Sequence, residues 1–385
     1  MIKSAIVIIV ALIVQWSLVQ PGYQNDHHLL SSLSVSSSST SMEHLDVVIT
    51  GVTAGLGKEL TSVLMESGAT VYALARSKGK LDKLGEEMKD KKGKMIPIVC
   101  DLQDMTSVSK AADVVLEGVG LEGKIDYLIN NAGMHYGNPF DTKSIDIAAS
   151  KSDGMDKLFV TNYLSHFLLT KKLLPTIKNM VVQVSSSYHW QSDGDMLKVE
   201  PSNDTSVPSM PMAARGDFYD FNHRHTSYGN SKLAQVLHAK ALARRLEKEG
   251  SGVRVVSVCP SWAATDIAPE GFFRWFVQTF AFSPGQGIYS ALMAMFRPEV
   301  KSGDFVGNTE IVPIAAPYIS KNLSINGVPL RGFIMDAAAQ VLMMLQRFNF
   351  GWYIVGTSPE SNDVGLQEGL YEWSEKAVEK YVNVA

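Results

Sequence analysis

Short apolar runs recur along the chain, each followed by a stretch with helical periodicity. The first run, residues 45–49, is rich in Val and Ile and shows no alternation with polar residues. That is the pattern of a strand buried on both faces of a parallel sheet. It breaks into Thr50-Gly51-Val52-Thr53-Ala54-Gly55-Leu56-Gly57, and helix formers follow over 58–66. Apolar runs at 69–75, 95–100, 125–130, 181–185 and 253–258 predict further strands. Between them, 80–92, the stretch after Asp101 through 115, and 155–174 predict helices, the last stopping at Pro175. Strands alternating with helices predict βαβ units joined by right-handed crossovers. The expected fold is therefore α/β, a Rossmann-like doubly wound parallel sheet in a single catalytic domain with insertions.

Two segments break the alternation. Residues 190–225 are polar and rich in Ser, Pro, Asp and Met, which predicts an extended loop, and loops of that length inside a domain usually carry function. Residues 311–356 form a second insertion with an apolar stretch at 333–345. The polar residues Asp336, Gln340, Gln346 and Arg347 rule against a membrane-spanning helix there. A packed helix is favoured, with an interfacial helix as the alternative.

The N-terminus is a separate matter. Lys3 precedes an apolar run over 5–19, and a Ser-rich polar stretch follows. This predicts a signal peptide or signal anchor over 1–20, a linker over 21–44 and the catalytic domain over 45–385. The run is short against the roughly 20 apolar residues of a bilayer span. The resulting expectation is an endomembrane protein, in the membrane or lumen of the endoplasmic reticulum, with membrane association through the N-terminus.

Composition narrows the classes further. With 45% hydrophobic residues the chain can bury a large core, and a net charge of −4 gives no basic surface for nucleic acid. Its two cysteines, Cys100 and Cys259, each end an apolar run, so buried free thiols are expected rather than a disulfide framework. His223 and His225 lack cysteine or spaced acidic company, and no metal is expected.

The candidate chemistry lies at two places. A strand feeding a helix through Gly51, Gly55 and Gly57 is suited to a dinucleotide phosphate, which meets backbone N–H groups at the helix start. Tyr228-Gly229-Asn230-Ser231-Lys232 opens a helical stretch, and positions i and i+4 share a helix face. An ammonium beside a phenol favours the phenolate and lowers its pKa from about 10, which makes a general acid/base for an alcohol or carbonyl.

Taken together the motifs resemble the short-chain dehydrogenase/reductase family over 45–308 and again near the C-terminus. Thr50-Gly51 through Gly55-Leu56-Gly57 resembles its TGxxxGxG loop, and Asn130-Asn131-Ala132-Gly133 its NNAG. The resemblance implies a catalytic set of Asn162, Ser186, Tyr228 and Lys232. In it, tyrosine exchanges a proton with substrate oxygen, serine holds that oxygen, lysine binds the nicotinamide ribose, and asparagine anchors a relay water. It also implies cofactor contacts at Thr50, Gly51, Gly55, Leu56, Gly57, Asp101, Leu102, Asn131, Ala132, Gly133, Pro260 and Thr265, besides Tyr228 and Lys232. The helix around Asn162, Ser283-Pro284-Gly285-Gln286-Gly287 and Leu370-Tyr371-Glu372-Trp373-Ser374-Glu375 resemble the retinol dehydrogenase-like branch.

Two departures stand out. Pro260-Ser261-Trp262 replaces the family's Pro-Gly, and the insertions exceed the branch's usual length. Arg76 ends the second strand where an NAD enzyme carries an acid, and a guanidinium suits a 2′-phosphate, so NADP(H) is the expected cofactor. The expected substrate is a small hydrophobic alcohol or carbonyl: a retinoid, steroid or other lipid. A protochlorophyllide reductase-like enzyme and a non-catalytic NADP-binding scaffold are the alternatives. That reductase group usually has cysteine near Trp262, and a scaffold would be expected to have lost a catalytic residue. The oligomeric state is left open.

Overall fold

β1 (Asp46–Thr50) lies inside the sheet, parallel to β2 (Thr70–Ala75) on one side and β4 (Ile125–Asn130) on the other. β3 (Lys94–Val99), β5 (Ile177–Val184), β6 (Arg254–Cys259), β7 (Phe305–Gly307) and β10 (Tyr353–Ile354) complete eight strands in the order β10-β7-β6-β5-β4-β1-β2-β3. Only β10 runs antiparallel to its neighbour. A separate two-stranded hairpin joins β8 (Ser324–Ile325) to β9 (Val328–Pro329). The computed structural model describes residues 44–120, 123–135, 154–192, 194–199, 209–215, 221–261, 263, 281–308, 324–325, 328–329 and 353–383.

The central strands are mostly apolar because helices cover both faces. Val47, Val48 and Ile49 are wholly buried, and every residue of β4 is buried. The helices are α1 (Gly55–Glu66), α2 (Lys78–Met88), α3 (Met105–Val119), α4 (Lys157–Phe159, then a π-helical stretch Val160–Leu164, then Ser165–Leu173), α5 (Phe221–Lys248), α6 (Tyr289–Phe296) and α7 (Val364–Val382). One core joins α3, α4, α5 and α7 to Val48, Leu128, Val181 and Val255. Alternate strand residues face the other way, where right-handed crossovers put α1 and α2. This is the doubly wound Rossmann-like sheet that the alternation predicts. Its strand order reverses between β1 and β4, which opens a crevice at their C-terminal ends.

Several boundaries differ from those the sequence predicts. β5 begins at Ile177 rather than at 181, directly after a turn at Leu174–Thr176 that contains Pro175. Its polar start hides the strand, and those residues are satisfied across the sheet: Asn179 Nδ2 donates to Asp126 Oδ1 at 3.0 Å. α1 begins at Gly55 instead of 58, inside the glycine-rich turn. β7 and β10, three and two residues long, are too short to show a period. The expected loop at 190–225 is partly regular. Short turns lie at Asp195–Leu197 and Met212–Arg215, and α5 starts at Phe221, two turns before Tyr228. Cys100 and Cys259 are buried and unpaired. Among the described residues no helix is long and apolar enough to cross a membrane. The expected signal segment, most of the linker and the helix expected at 333–345 lie outside the described residues.

Candidate active site

The crevice is floored by the turn between β1 and α1. Gly51 at φ +75° and Gly55 at φ +54° carry it through left-handed conformations that favour glycine. Gly57 answers a different need, because a Cβ there would stand 2.3 Å from Gly51 O. Ala54 precedes α1 without a side-chain cap, so the first helical N–H groups are left for an anion. Thr50 fastens the turn to the end of β4: its Oγ1 accepts from Asn131 N at 3.0 Å and Ala132 N at 2.9 Å. Asn131 Nδ2 returns a bond to Thr50 O at 2.8 Å.

The four predicted catalytic side chains come from α4, β5 and α5. Asn162 lies in the π-helical stretch and is fully buried. Its Oδ1 accepts from Met134 N at 2.8 Å, while Nδ2 donates to Met134 O and to Ser231 Oγ, each at 3.0 Å. It thus clamps the exit of β4 to α5. Tyr228 and Lys232 sit one turn apart on α5, with Lys232 Nζ 5.3 Å from the Tyr228 ring centre. Ser186 follows β5, its Oγ accepts from Tyr188 N at 3.2 Å, and it lies close enough to Tyr228 to favour the phenolate. Its neighbour Ser185 is used structurally, donating to Lys232 O at 2.8 Å. A Cβ on Gly133 would lie 3.5 Å from Asn162 Oδ1 and 3.6 Å from Lys232 Nζ, so the NNAG turn borders the same space.

These parts sit in a chain whose residues 46–192 match the short chain dehydrogenase family model. Short-chain dehydrogenase TIC 32 B, chloroplastic, of Brassica napus is 30% identical over 237 residues, covering 58% of this chain and 66% of that protein. Human retinol dehydrogenase 11 is 29% identical over 282 residues, covering 70% of this chain and 79% of its own. The chain belongs to the short-chain dehydrogenase/reductase family. Members of this family are oxidoreductases. A solved short chain dehydrogenase from Burkholderia cenocepacia shares the fold, with TM-score 0.51 and 20% identity over 70% of this chain and 97% of that one.

The remaining predicted contacts are spread along the short-chain dehydrogenase crevice. Arg76 is exposed immediately after β2, and no described residue engages its guanidinium. Ser77 beside it caps α2, accepting from Lys80 N. Asp101 Oδ1 accepts from Gln103 N at 3.0 Å within its own turn, and Leu102 is buried beside it. Asp104 caps α3. Pro260 O accepts from Asn308 Nδ2 at 3.2 Å. Ser261, where the family has glycine, keeps φ +60°. Trp262 and Thr265 lie outside the described residues.

The electrostatics correct one expectation. Lys232 is almost wholly buried, and desolvation pulls its ammonium down to about 7, with the nearby Cys259 thiol opposing. Burial pushes the Tyr228 phenol above its ordinary value rather than below it; Cys259 adds to this and the Ser186 hydroxyl opposes it. Burial outweighs the expected ammonium effect, and two of the Lys232 N–H groups go to neutral acceptors: Nζ donates to Val184 O at 2.9 Å and Gln235 Oε1 at 3.0 Å. Tyr228 is therefore held protonated in the cofactor-free protein. His135 and Tyr188 flank its ring at 4.8 and 5.6 Å between centres.

Three buried polar side chains escaped the sequence reading. Thr50 Oγ1 already accepts two N–H groups, so its proton goes to His166 Nε2 at 2.9 Å. His166 then donates from Nδ1 to Asn162 O at 3.1 Å. Burial holds His166 neutral, at about 4. His189 takes Ser358 N on Nε2 at 3.1 Å and so donates from Nδ1 to Ser186 O at 2.7 Å, tying the serine turn to the segment before α7. Gln235 bridges Lys232 and Asn162. The legible signal was a lone polar residue in an apolar helix face: His166 four after Asn162, Gln235 three after Lys232.

Proposed function

We propose that the protein is an NADP(H)-dependent oxidoreductase acting on a hydrophobic alcohol or carbonyl compound of retinoid, steroid or other lipid-like type. The observation that carries this reading is the meeting of Ser186, Tyr228, Lys232 and Asn162 at the mouth of the β1–β4 crevice, beside an uncapped helix start. Open N–H groups on α1 fit a diphosphate, and the unengaged Arg76 fits a ribose 2′-phosphate. A bound nicotinamide would supply or accept the hydride. The chain's own residues would do the rest: Tyr228 moves a proton at the substrate oxygen, Ser186 holds that oxygen, and Lys232 keeps the ribose and Tyr228 in register. The aromatic sides given to Tyr228 by His135 and Tyr188 suit an apolar substrate. Similarity to retinol dehydrogenase 11 supports the same class. This chain covers 66% of the length of its TIC 32 relatives, and their own activity is not carried over.

The cofactor preference gives a direct test. A charge-assisted bond to phosphate contributes about 1.5–3 kcal/mol, so kcat/KM should favour NADPH over NADH by roughly 10- to 100-fold. Arg76→Asp removes the fork, repels the phosphate and offers an acceptor to the ribose hydroxyls, so the preference should reverse. A wild type that favours NADH, or a ratio unmoved by Arg76→Asp at fixed salt, would overturn the NADP assignment.

A further inference from the structure

Gln235 is wholly buried on α5, three residues beyond Lys232. An amide buried without partners costs free energy, and this one is satisfied at both ends. Its Oε1 accepts from Lys232 Nζ at 3.0 Å and its Nε2 donates to Asn162 O at 2.8 Å. The orientation is unambiguous, because an ammonium only donates and a carbonyl only accepts. A second N–H of Lys232 goes to Val184 O at 2.9 Å. An ammonium has three N–H groups, and the third is left for the side where Gly133 and Tyr228 lie. The same Asn162 carbonyl takes His166 Nδ1, so α4 and α5 are joined at one atom beside the π-helical stretch.

We propose that Gln235 is a positioning residue for Lys232: its amide fixes the ammonium so that one N–H faces Tyr228, and ties it to the Asn162 carbonyl. No other described side chain links the two. The proposal rests on the reading of Tyr228 and Lys232 as the reacting pair. The neutral amide supplies an acceptor to Lys232 without a counter-charge. The titratable groups around the ammonium are Tyr228 on the same helix, His166 from α4 and Cys259 at the end of β6.

The test is the titration of Lys232 itself, followed by NMR of full-length protein labelled with 15N-lysine and assigned by the signal lost in Lys232→Met. Gln235→Glu should raise the midpoint by about one unit or more, because a carboxylate favours the ammonium. Gln235→Leu and the shorter Gln235→Asn should both lower it, because neither spans Lys232 and Asn162. With retinal and NADPH as probes, Gln235→Leu should lose about 10-fold in kcat with KM for NADPH within about 3-fold, an effect made in the transition state rather than in binding. A Lys232 midpoint within about 0.3 unit of wild type in the Glu and Asn variants would overturn the proposal, even if Gln235→Leu fails to fold. NADPH binding by wild type, read from its fluorescence, tests the underlying reading separately, since the titration needs no cofactor.

Discussion

Tyr228→Phe is expected to lower turnover by about 10²-fold or more while NADPH binding stays within a few-fold of wild type. The change removes one oxygen atom and keeps the ring between His135 and Tyr188. Ser186 keeps its Tyr188 N contact and can still hold a substrate oxygen, so the loss isolates proton transfer from positioning. Burial raises the phenol's pKa further, so Tyr228 carries the proton that carbonyl reduction needs at neutral pH. Near-normal turnover in Tyr228→Phe, with the same KM, would remove Tyr228 from the chemistry.

Lys232→Met should cost a similar factor in turnover and remove the rise in stability that the cofactor-free protein shows between about pH 7 and pH 10.5. The folded ammonium titrates at about 7 against an ordinary 10.5, so between those values the unfolded chain holds a proton that the folded chain lacks. Stability from this group therefore rises with pH across that window, and its cost is fully present below about 7. The difference between about 7 and 10.5 corresponds to about 5 kcal/mol. Removing the amine also strands Gln235 Oε1 and Val184 O at about 1–3 kcal/mol each, a cost that does not change with pH. The expected result is a pH slope: wild type should gain up to about 5 kcal/mol on Lys232→Met between about pH 6.5 and pH 10.5, as read by urea unfolding of both proteins. A pH-independent difference between the two would mean that Lys232 is not strained by burial.

What could be read from the chain follows from what its pattern encodes. Residues 47–49 and 125–130 are buried, so the apolar runs around them mark β1 and β4 almost to the residue. The glycine turn is legible because its backbone requires glycine at Gly51 and Gly55, and Tyr228 and Lys232 because helix spacing alone puts them together. The start of β5 was hidden since Lys178 and Asn179 meet Asp126 at the N-terminal ends of β5 and β4, which no local period records. The π-helical stretch at Asn162 has no signature in composition; it is set by the contacts of Asn162 with Met134 and Ser231, distant in sequence. Tyr228 was misjudged for a related reason. Proximity to Lys232 is legible from spacing, but the burial of both groups, which sets the direction of their shifts, depends on the packing of α4, β5 and β6 around them.

The central claim is that this crevice transfers hydride with an NADP(H) cofactor. Full-length protein in mild detergent, given NADPH deuterated at nicotinamide C4 on one face or the other, should be offered retinal, a ketosteroid and a long-chain aldehyde, with products read by mass spectrometry. The account predicts one deuterium on the carbinol carbon of at least one product, from one face only, and none with Tyr228→Phe over the same time. No deuterium transfer from either face to any of the three, by protein that binds NADPH, would contradict it.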